Sequence, residues 1–198
     1  MCLIKNLKIT SQLKRIMDIV TSLFLLVILI PIFIIIAIFI KLDGDGPILF
    51  WSKRFGKNKI LFLMPKLRTM HVDTPIIDTN SLKQTKVYIT KTGRFLRKTS
   101  LDELPQLICV LIGKMSLVGP RPALFTQQDL IHLRDKNLIN SLKPGITGFA
   151  QINGRDSISI QKKVSLEYEY LKKHDICFDI RILFITVFGL KWLKDISH

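Results

Sequence analysis

The strongest hydrophobic feature of the chain is an unbroken apolar run from Leu23 to Ile40. Its 18 residues are at the lower limit for a helix that crosses the hydrocarbon core of a bilayer. Pro31 lies near the midpoint, where the missing amide donor and the steric clash of the proline ring favour a kink or a break. The pattern therefore predicts two short apolar helices that meet at Pro31.

Basic residues flank this run on both sides. Lys14 and Arg15 precede it, and Lys41 and Lys53 follow it. Because an excess of Lys and Arg marks the cytoplasmic side of a membrane, both ends are expected on that side. A re-entrant hairpin over residues 14–41 satisfies this condition. A single kinked transmembrane helix is the alternative, because proline is also common in such helices.

The remaining polar and apolar positions predict short elements joined by turns. Asp43–Pro47 is typical of a turn, Ile48–Trp51 of a strand and residues 73–86 of a surface loop. Helices are expected over Ser100–Ile112 with a stop at Gly113, over Thr126–Leu142 and over Ile180–Leu193. The length of 198 residues suits one domain.

Two adjacent carboxylates, Asp102 and Glu103, lie in the segment TSLDELPQ that begins at Thr99. Ser100 followed three residues later by Glu103 has the pattern of a capping box, which would place both acids in the first turn of a helix. Such a helix end favours anions, and Arg97 just upstream adds positive charge. The segment therefore fits either a phosphate site with reactive carboxylates or a plain helix cap.

The charge and hydropathy of the chain narrow the class of partner. Lys and Arg number 30 against 15 Asp and Glu, a net charge of +15 that favours an anionic partner. The mean hydropathy is positive, which is unusual for a soluble nucleic-acid binder and favours a membrane with a phosphate ligand. Three separated cysteines and four unpaired histidines give no disulfide framework and no zinc spacing.

Two loops carry further candidate residues. Gly119-Pro120-Arg121-Pro122 cannot be helical at its prolines, so it holds Arg121 rigidly, which suits a guanidinium that meets a phosphate. The segment from Gly145 to Gly154 is glycine-spaced, as a backbone-lined binding loop would be, and Arg155 ends it. An incidental arginine on a surface turn is the alternative for both loops.

Six motifs in order resemble the bacterial sugar transferases, and more narrowly the small monotopic phosphoglycosyl transferases. Together they extend over nearly the whole chain. They are KRIMD from Lys14 to Asp18, the proline-interrupted apolar run, KLRTM from Lys66 to Met70, TSLDELPQ, GPRP, and KPGITGFAQINGR from Lys143 to Arg155.

The resemblance implies a mainly α fold with a small β-hairpin element (α+β). A re-entrant helix-break-helix membrane segment over residues 14–41 would precede a helical catalytic part over residues 42–198, within one domain of residues 1–198. The implied place is the cytoplasmic face of the bacterial inner membrane. The implied reaction transfers a sugar 1-phosphate from a UDP-sugar to polyprenyl (undecaprenyl) phosphate, giving UMP, with Mg²⁺ as cofactor. The usual sugar would be an N-acetylated or deoxyamino hexose.

The resemblance also assigns roles to residues. Asp102 matches the nucleophile that forms a phosphosugar intermediate and is expected to contact Mg²⁺, and Glu103 is its partner. Arg97, Arg121 and Arg155 match positions around the substrate phosphates. Lys14, Arg15 and Asp18 match a membrane-border motif, and Pro31 matches the helix-breaking proline. The chain departs from the family pattern at Ile30, Leu67 and Phe149, where Ser, Phe and Trp are common.

Three other classes of protein can be weighed against this interpretation. A basic membrane protein that binds nucleic acid would need a recognition signature, and none is present. No nucleic acid is therefore expected as partner. A catalytically inactive membrane scaffold is disfavoured because Asp102, Glu103, Arg97 and Arg121 are all present. A polytopic lipid-phosphate transferase would need several long apolar runs.

Overall fold

The computed structural model describes residues 2–74, 88–154 and 157–193. Its first element, helix α1, comprises Cys2–Leu42. Pro31 lies inside this helix, so the expected break into two short helices is wrong, and the expected kink at Pro31 stays a prediction. A proline removes a single backbone donor, and an apolar environment strongly favours keeping the remaining backbone groups paired. Within the described residues, α1 alone is long and apolar enough to cross a membrane.

Strands β1 (Leu49–Phe55) and β2 (Leu61–Leu67) form an antiparallel hairpin, which confirms the expected β element. A 3-10 turn at residues 57–59 joins them. The register pairs Leu49 with Leu67, Ser52 with Met64 and Phe55 with Leu61. Phe62 and Met64 are buried in the main core. Because strand side chains alternate between faces, Lys66 follows them on the same inward face.

The acid pair lies between two helices, on a segment that differs from the expected one. Helix α2 (Lys91–Thr99) ends at Ser100, which has a left-handed backbone with φ 59°. A 3-10 helix, Leu101–Gln106, follows, and helix α3 (Leu107–Leu111) continues it. Ser100 makes no side-chain capping bond, so the predicted capping box is wrong. The predicted stop at Gly113 is confirmed.

Two three-residue strands that the sequence did not predict, β3 (Ser116–Val118) and β4 (Gly145–Thr147), pair in parallel. A Cβ atom on Gly145 would lie 2.1 Å from the amide nitrogen of Gly119. A Cβ atom on Gly148 would lie 2.1 Å from the Gly119 carbonyl oxygen. The glycines at positions 145 and 148 therefore permit close packing of backbones, whereas the predicted binding role of the loop from Gly145 to Gly154 stays a prediction.

The other helices are α4 (Gln128–Lys136), α5 (Phe149–Ile152), α6 (Ile160–Lys173) and α7 (Ile176–Leu193). The helix expected over Thr126–Leu142 is thus shorter, and a 3-10 turn at Ile139–Ser141 takes up part of its remainder. The C-terminal helix is confirmed as α7. Ile182 on α7 is fully buried in the main core, whereas Phe184 and Phe188 are exposed.

Both ends of the apolar run contact the same globular part of the chain. Near its end, Ile36 and Ile40 pack with Leu67 and Leu96. The guanidinium of Arg68, just after β2, donates a hydrogen bond of 2.9 Å to the Ile40 carbonyl oxygen. Toward the start of α1, the Arg15 guanidinium donates to the carbonyl oxygens of Val110 and Leu111, each at 2.6 Å. Helix α1 is therefore fastened to the globular part on either side of Pro31.

Candidate active site

The acid pair is buried where the 3-10 helix packs against strand β2. Asp102 and Glu103 are each 8% exposed. Glu103 Oε1 accepts a hydrogen bond of 2.9 Å from Lys66 Nζ and one of 3.1 Å from Arg121 Nη2. A buried charge is costly unless it is paired, so these two cations stabilise Glu103 and fix its position. The structure thus joins Glu103 and Arg121, as the motifs predicted.

Lys66 is a site residue that the sequence analysis missed. Its side chain is 17% exposed and lies on the inward face of β2. Burial lowers the pKa of the Lys66 ammonium, and the nearby Glu103 carboxylate opposes that shift. A charged residue at an inward position of an otherwise apolar strand was the available signal, because lysine is rarely buried without a partner.

Arg97 also lies close to the acid pair, as predicted. Its Nε donates a hydrogen bond of 2.9 Å to Thr69 Oγ1, which holds the side chain at the end of α2. The positive charge of Arg97 acts on Asp102 and favours its ionised form. Thr69 is a second site residue that the sequence analysis missed. The KLRTM motif alone does not indicate that its threonine hydroxyl accepts a hydrogen bond from Arg97.

Asp102 differs from Glu103 in how it is held. No side chain among the described residues donates a hydrogen bond to it, and the charges of Lys66 and Arg97 act on it through space. Burial raises the pKa of Asp102 above the ordinary value of 3.8; Lys66 and Arg97 oppose the shift, and the Glu103 charge adds to it. Two side chains therefore hold Glu103 in place, whereas no described side chain restrains the Asp102 carboxylate by a hydrogen bond.

The GPRP loop is fixed by contacts to consecutive carbonyl oxygens. The Pro120 carbonyl accepts from the Gly145 amide at 2.9 Å, and the Arg121 carbonyl from Arg134 Nη2 at 3.0 Å. The Pro122 carbonyl accepts from Arg54 Nη1 at 3.2 Å, and the Ala123 carbonyl from the Phe55 amide at 3.0 Å. The prediction that Arg121 is held rigidly is confirmed. These hydrogen bonds to distant parts of the chain restrain the loop in addition to its two prolines.

The predicted membrane-border residues form a separate cluster with a structural role. Lys14 pairs with the buried carboxylate of Asp179 on α7 and donates to the Val118 carbonyl at 3.1 Å. Asp18 is 2% exposed and accepts a hydrogen bond of 3.0 Å from the Leu117 amide. Together with Arg15, these side chains fasten α1 to α7, α3 and β3. None of the three has a described contact with the acid pair.

Two predicted residues have no described contact with the site. Arg155 lies outside the described residues, so its expected role at the substrate phosphates stays a prediction. Pro31 lies exposed on α1 among apolar side chains.

The acid pair offers a modest donor set for a metal ion. Carboxylate oxygens are ligands that Mg²⁺ prefers, and this ion usually keeps several waters and binds substrate phosphates as well. Because Glu103 Oε1 already pairs with Lys66 and Arg121, Asp102 is the better ligand. The described residues contain no group of three or more His, Cys, Asp and Glu side chains that could enclose a metal. The site therefore suits an ion held jointly by Asp102 and phosphate oxygens.

This arrangement can attack and stabilise a phosphoryl group. The Asp102 carboxylate can act as a nucleophile, and Lys66, Arg97 and Arg121 place positive charge around the pair. Preorganised cations at a buried site stabilise the charge that develops on phosphate oxygens during transfer. A carboxylate nucleophile divides one difficult displacement between two anions into two easier steps.

Comparisons with known proteins identify the family of the chain. The family model described as bacterial sugar transferase matches residues 9–192. The chain is 39% identical over 187 residues to the UDP-glucose:undecaprenyl-phosphate glucose-1-phosphate transferase of Escherichia coli, with 91% of the chain and 40% of that protein covered. It is 35% identical over 190 residues to the UDP-galactose-lipid carrier transferase of Erwinia amylovora, with 88% of the chain and 39% of that protein covered.

A further relative is similar to the chain over most of its own length. The uncharacterized sugar transferase EpsL of Bacillus subtilis is 39% identical over 175 residues, which cover 88% of the chain and 85% of that protein. The chain spans less than half of the Escherichia coli and Erwinia amylovora relatives. The family match includes the acid pair, the GPRP loop and most of α1. The chain belongs to the bacterial sugar transferase family.

Proposed function

We propose that the protein transfers a sugar 1-phosphate from a UDP-sugar to undecaprenyl phosphate, giving a polyprenyl diphosphate sugar and UMP. One observation carries the proposal: Asp102 lies buried among Lys66, Arg97 and the Arg121–Glu103 pair in a chain of this family. Relatives whose names specify UDP-glucose and UDP-galactose support a nucleotide-sugar donor and a lipid acceptor.

In the first step, an oxygen of the Asp102 carboxylate attacks the sugar-bearing phosphorus of the UDP-sugar. A bond forms between Asp102 and this phosphorus, the bond to the bridging diphosphate oxygen breaks, and its electron pair leaves with UMP. Lys66, Arg97 and Arg121 stabilise the negative charge on the phosphoryl and leaving-group oxygens. Glu103 keeps Lys66 and Arg121 in place during this step.

In the second step, a phosphate oxygen of undecaprenyl phosphate attacks the same phosphorus. The bond from phosphorus to Asp102 breaks, so the carboxylate is regenerated and the polyprenyl diphosphate sugar leaves. The same cations serve both steps because the negative charge develops on the same phosphoryl group. Mg²⁺, held by Asp102 and substrate phosphates, would supply further neutralisation of phosphate charge.

We also propose that the protein lies on the cytoplasmic face of the bacterial inner membrane, with α1 kinked at Pro31 so that both of its ends are on that face. The same globular part binds Lys14 and Arg15 before the apolar run and packs against Ile40 at its end. This arrangement argues against a helix whose two ends lie on opposite faces of a bilayer.

Cysteine labelling in intact cells tests this topology. Native Cys2 and a cysteine introduced by Asp45→Cys are on opposite sides of the apolar run. An impermeant thiol reagent added outside intact cells is expected to label neither. Labelling of one of them alone would establish a transmembrane path for α1.

The reaction is tested by UMP release from protein in lipid nanodiscs with Mg²⁺, undecaprenyl phosphate and a panel of UDP-sugars. The panel should begin with UDP-glucose and UDP-galactose and include N-acetylated and deoxyamino hexoses. Release by the wild type but not by Asp102→Asn supports the proposal. If correctly folded wild type releases no UMP with any donor, the inactive scaffold becomes the better account.

A further inference from the structure

A buried arginine donates a hydrogen bond to the backbone of Arg121, whose side chain contacts the acid pair. Arg134 on α4 is 4% exposed and forms a two-point pair with Glu167 on α6, which is 2% exposed. Its Nε donates to Glu167 Oε2 at 2.7 Å, and its Nη2 donates to Glu167 Oε1. The same Nη2 also donates a hydrogen bond of 3.0 Å to the Arg121 carbonyl oxygen.

This geometry links the helical pair to the active site in three contacts. Glu167 orients the guanidinium of Arg134, Arg134 holds the backbone of Arg121, and the Arg121 side chain reaches Glu103 at 3.1 Å. A planar guanidinium held by a carboxylate has a fixed direction for its remaining donors. The donor that faces the loop is therefore set in place before any substrate binds.

Fastening α4 to α6 does not by itself require a charged pair. Replacing a buried ion pair by apolar residues of similar volume is often neutral or stabilising, so the pair is weak evidence for a role in stability. What apolar residues cannot supply at this position is a donor for the Arg121 carbonyl. That contact distinguishes the pair from ordinary packing between helices.

We propose that Arg134, oriented by Glu167, is a positioning residue that fixes Arg121 for phosphate stabilisation. The inference rests on the proposed transfer reaction for its catalytic consequence, but its structural consequence can be measured without turnover. Small displacements of a charge-stabilising group are costly, because stabilisation by preorganised groups requires the group at its final place before reaction.

The test is the double variant Arg134→Met/Glu167→Met, compared with Glu169→Met/Lys173→Met. The control removes an exposed ion pair from the same helix α6. We expect the first variant to keep a thermal midpoint close to that of the wild type. Exchange of the Gly145 and Phe55 amides, which donate to the Pro120 and Ala123 carbonyl oxygens on either side of Arg121, should accelerate by roughly tenfold. The kcat should fall on the order of tenfold with little change in KM. The control should match the wild type in all measurements.

Each outcome decides a specific point. Unchanged exchange of the Gly145 and Phe55 amides together with an unchanged kcat, in a folded double variant, would overturn the inference. Accelerated exchange together with a wild type that makes no UMP would support the positioning of Arg121 and contradict the proposed reaction. If the double variant does not fold, Arg134→Lys serves instead, because it keeps the charge opposite Glu167 and replaces the fork by one nitrogen. Its kcat is also expected to fall, and wild-type kcat and exchange would overturn the inference.

Discussion

Lys66 Nζ lies 2.9 Å from Glu103 Oε1 and joins the inward face of strand β2 to the acid pair. The contact keeps a mostly buried ammonium next to Asp102, where phosphate oxygens would arrive in the proposed reaction. Burial lowers the pKa of Lys66, and the Glu103 carboxylate opposes this shift and so favours the charged form. Glu103 therefore holds Lys66 and Arg121 in place through the two ion pairs.

Replacing Lys66 by Arg is expected to move the alkaline limb of the pH profile to higher pH. Burial lowers the pKa of Lys66 below the ordinary value of 10.5, so the wild type loses this charge as the pH rises through the lowered pKa. A guanidinium stays charged throughout. UMP release by Lys66→Arg and wild type, measured from neutral to alkaline pH, checks this. An identical alkaline limb in both proteins would show that another group is titrating.

Asp102→Asn is expected to abolish turnover and to stabilise the fold. Because the pKa of Asp102 is raised above its unfolded value, the carboxylate destabilises the folded state increasingly as the pH rises from 3.8 through the folded pKa. Removing the charge should stabilise the protein by about 1 kcal/mol at neutral pH and reduce kcat by roughly 1,000-fold or more. Thermal unfolding of wild type and Asp102→Asn at acidic and neutral pH tests the predicted stabilisation. A larger stabilisation by the substitution at acidic pH than at neutral pH would contradict it.

Thr69→Val is expected to lower kcat roughly fivefold, the loss of one hydrogen bond of about 1 kcal/mol. The substitution keeps the shape of the side chain and removes the oxygen that accepts from Arg97 Nε. Thr99→Val is the matched control, because that hydroxyl lies two residues from Arg97 and, among the described residues, bonds only to carbonyl oxygens of α2. Equal kcat values for the two variants would exclude Thr69 as the support of Arg97.

Lys14→Met is expected to destabilise the protein by about 3 kcal/mol, because it leaves the Asp179 carboxylate buried without its cation. Asp179 is 1% exposed, and the Tyr170 hydroxyl that donates to it at 2.6 Å cannot replace a positive charge. The comparison is Lys173→Met, which breaks an exposed pair and should cost about 0.5 kcal/mol or less. Chemical unfolding in detergent measures the loss of unfolding free energy in both variants. Similar losses in Lys14→Met and Lys173→Met would mean that Lys14 acts only as a surface charge.

The sequence predicted the features that depend on local pattern. The apolar run gave α1, the Asp-Gly turn preceded a strand, and the prolines around Arg121 kept that loop extended. The acid pair, Arg97 and Arg121 could be chosen because the charges stand in motifs that resemble a known family. These signals need no knowledge of what packs against them.

The features that the sequence did not predict depend on contacts between distant residues. The capping box fails because Glu103 is drawn to Lys66 and Arg121, which are better partners than the Ser100 backbone. Strands β3 and β4 have three residues each, too short for a periodic signal, and their pairing needs the glycines at their crossing. The predicted break at Pro31 is wrong because one missing donor did not interrupt α1.

The most direct test of the central claim is a search for the covalent intermediate on Asp102. Wild-type protein in nanodiscs is incubated with Mg²⁺ and the preferred UDP-sugar without undecaprenyl phosphate, quenched in acid and analysed by peptide mass spectrometry. The expected result is one equivalent of UMP per active site and a sugar phosphate on Asp102, which disappears when undecaprenyl phosphate is added. UMP that forms only when both substrates are present, with Asp102 unmodified, would contradict the account.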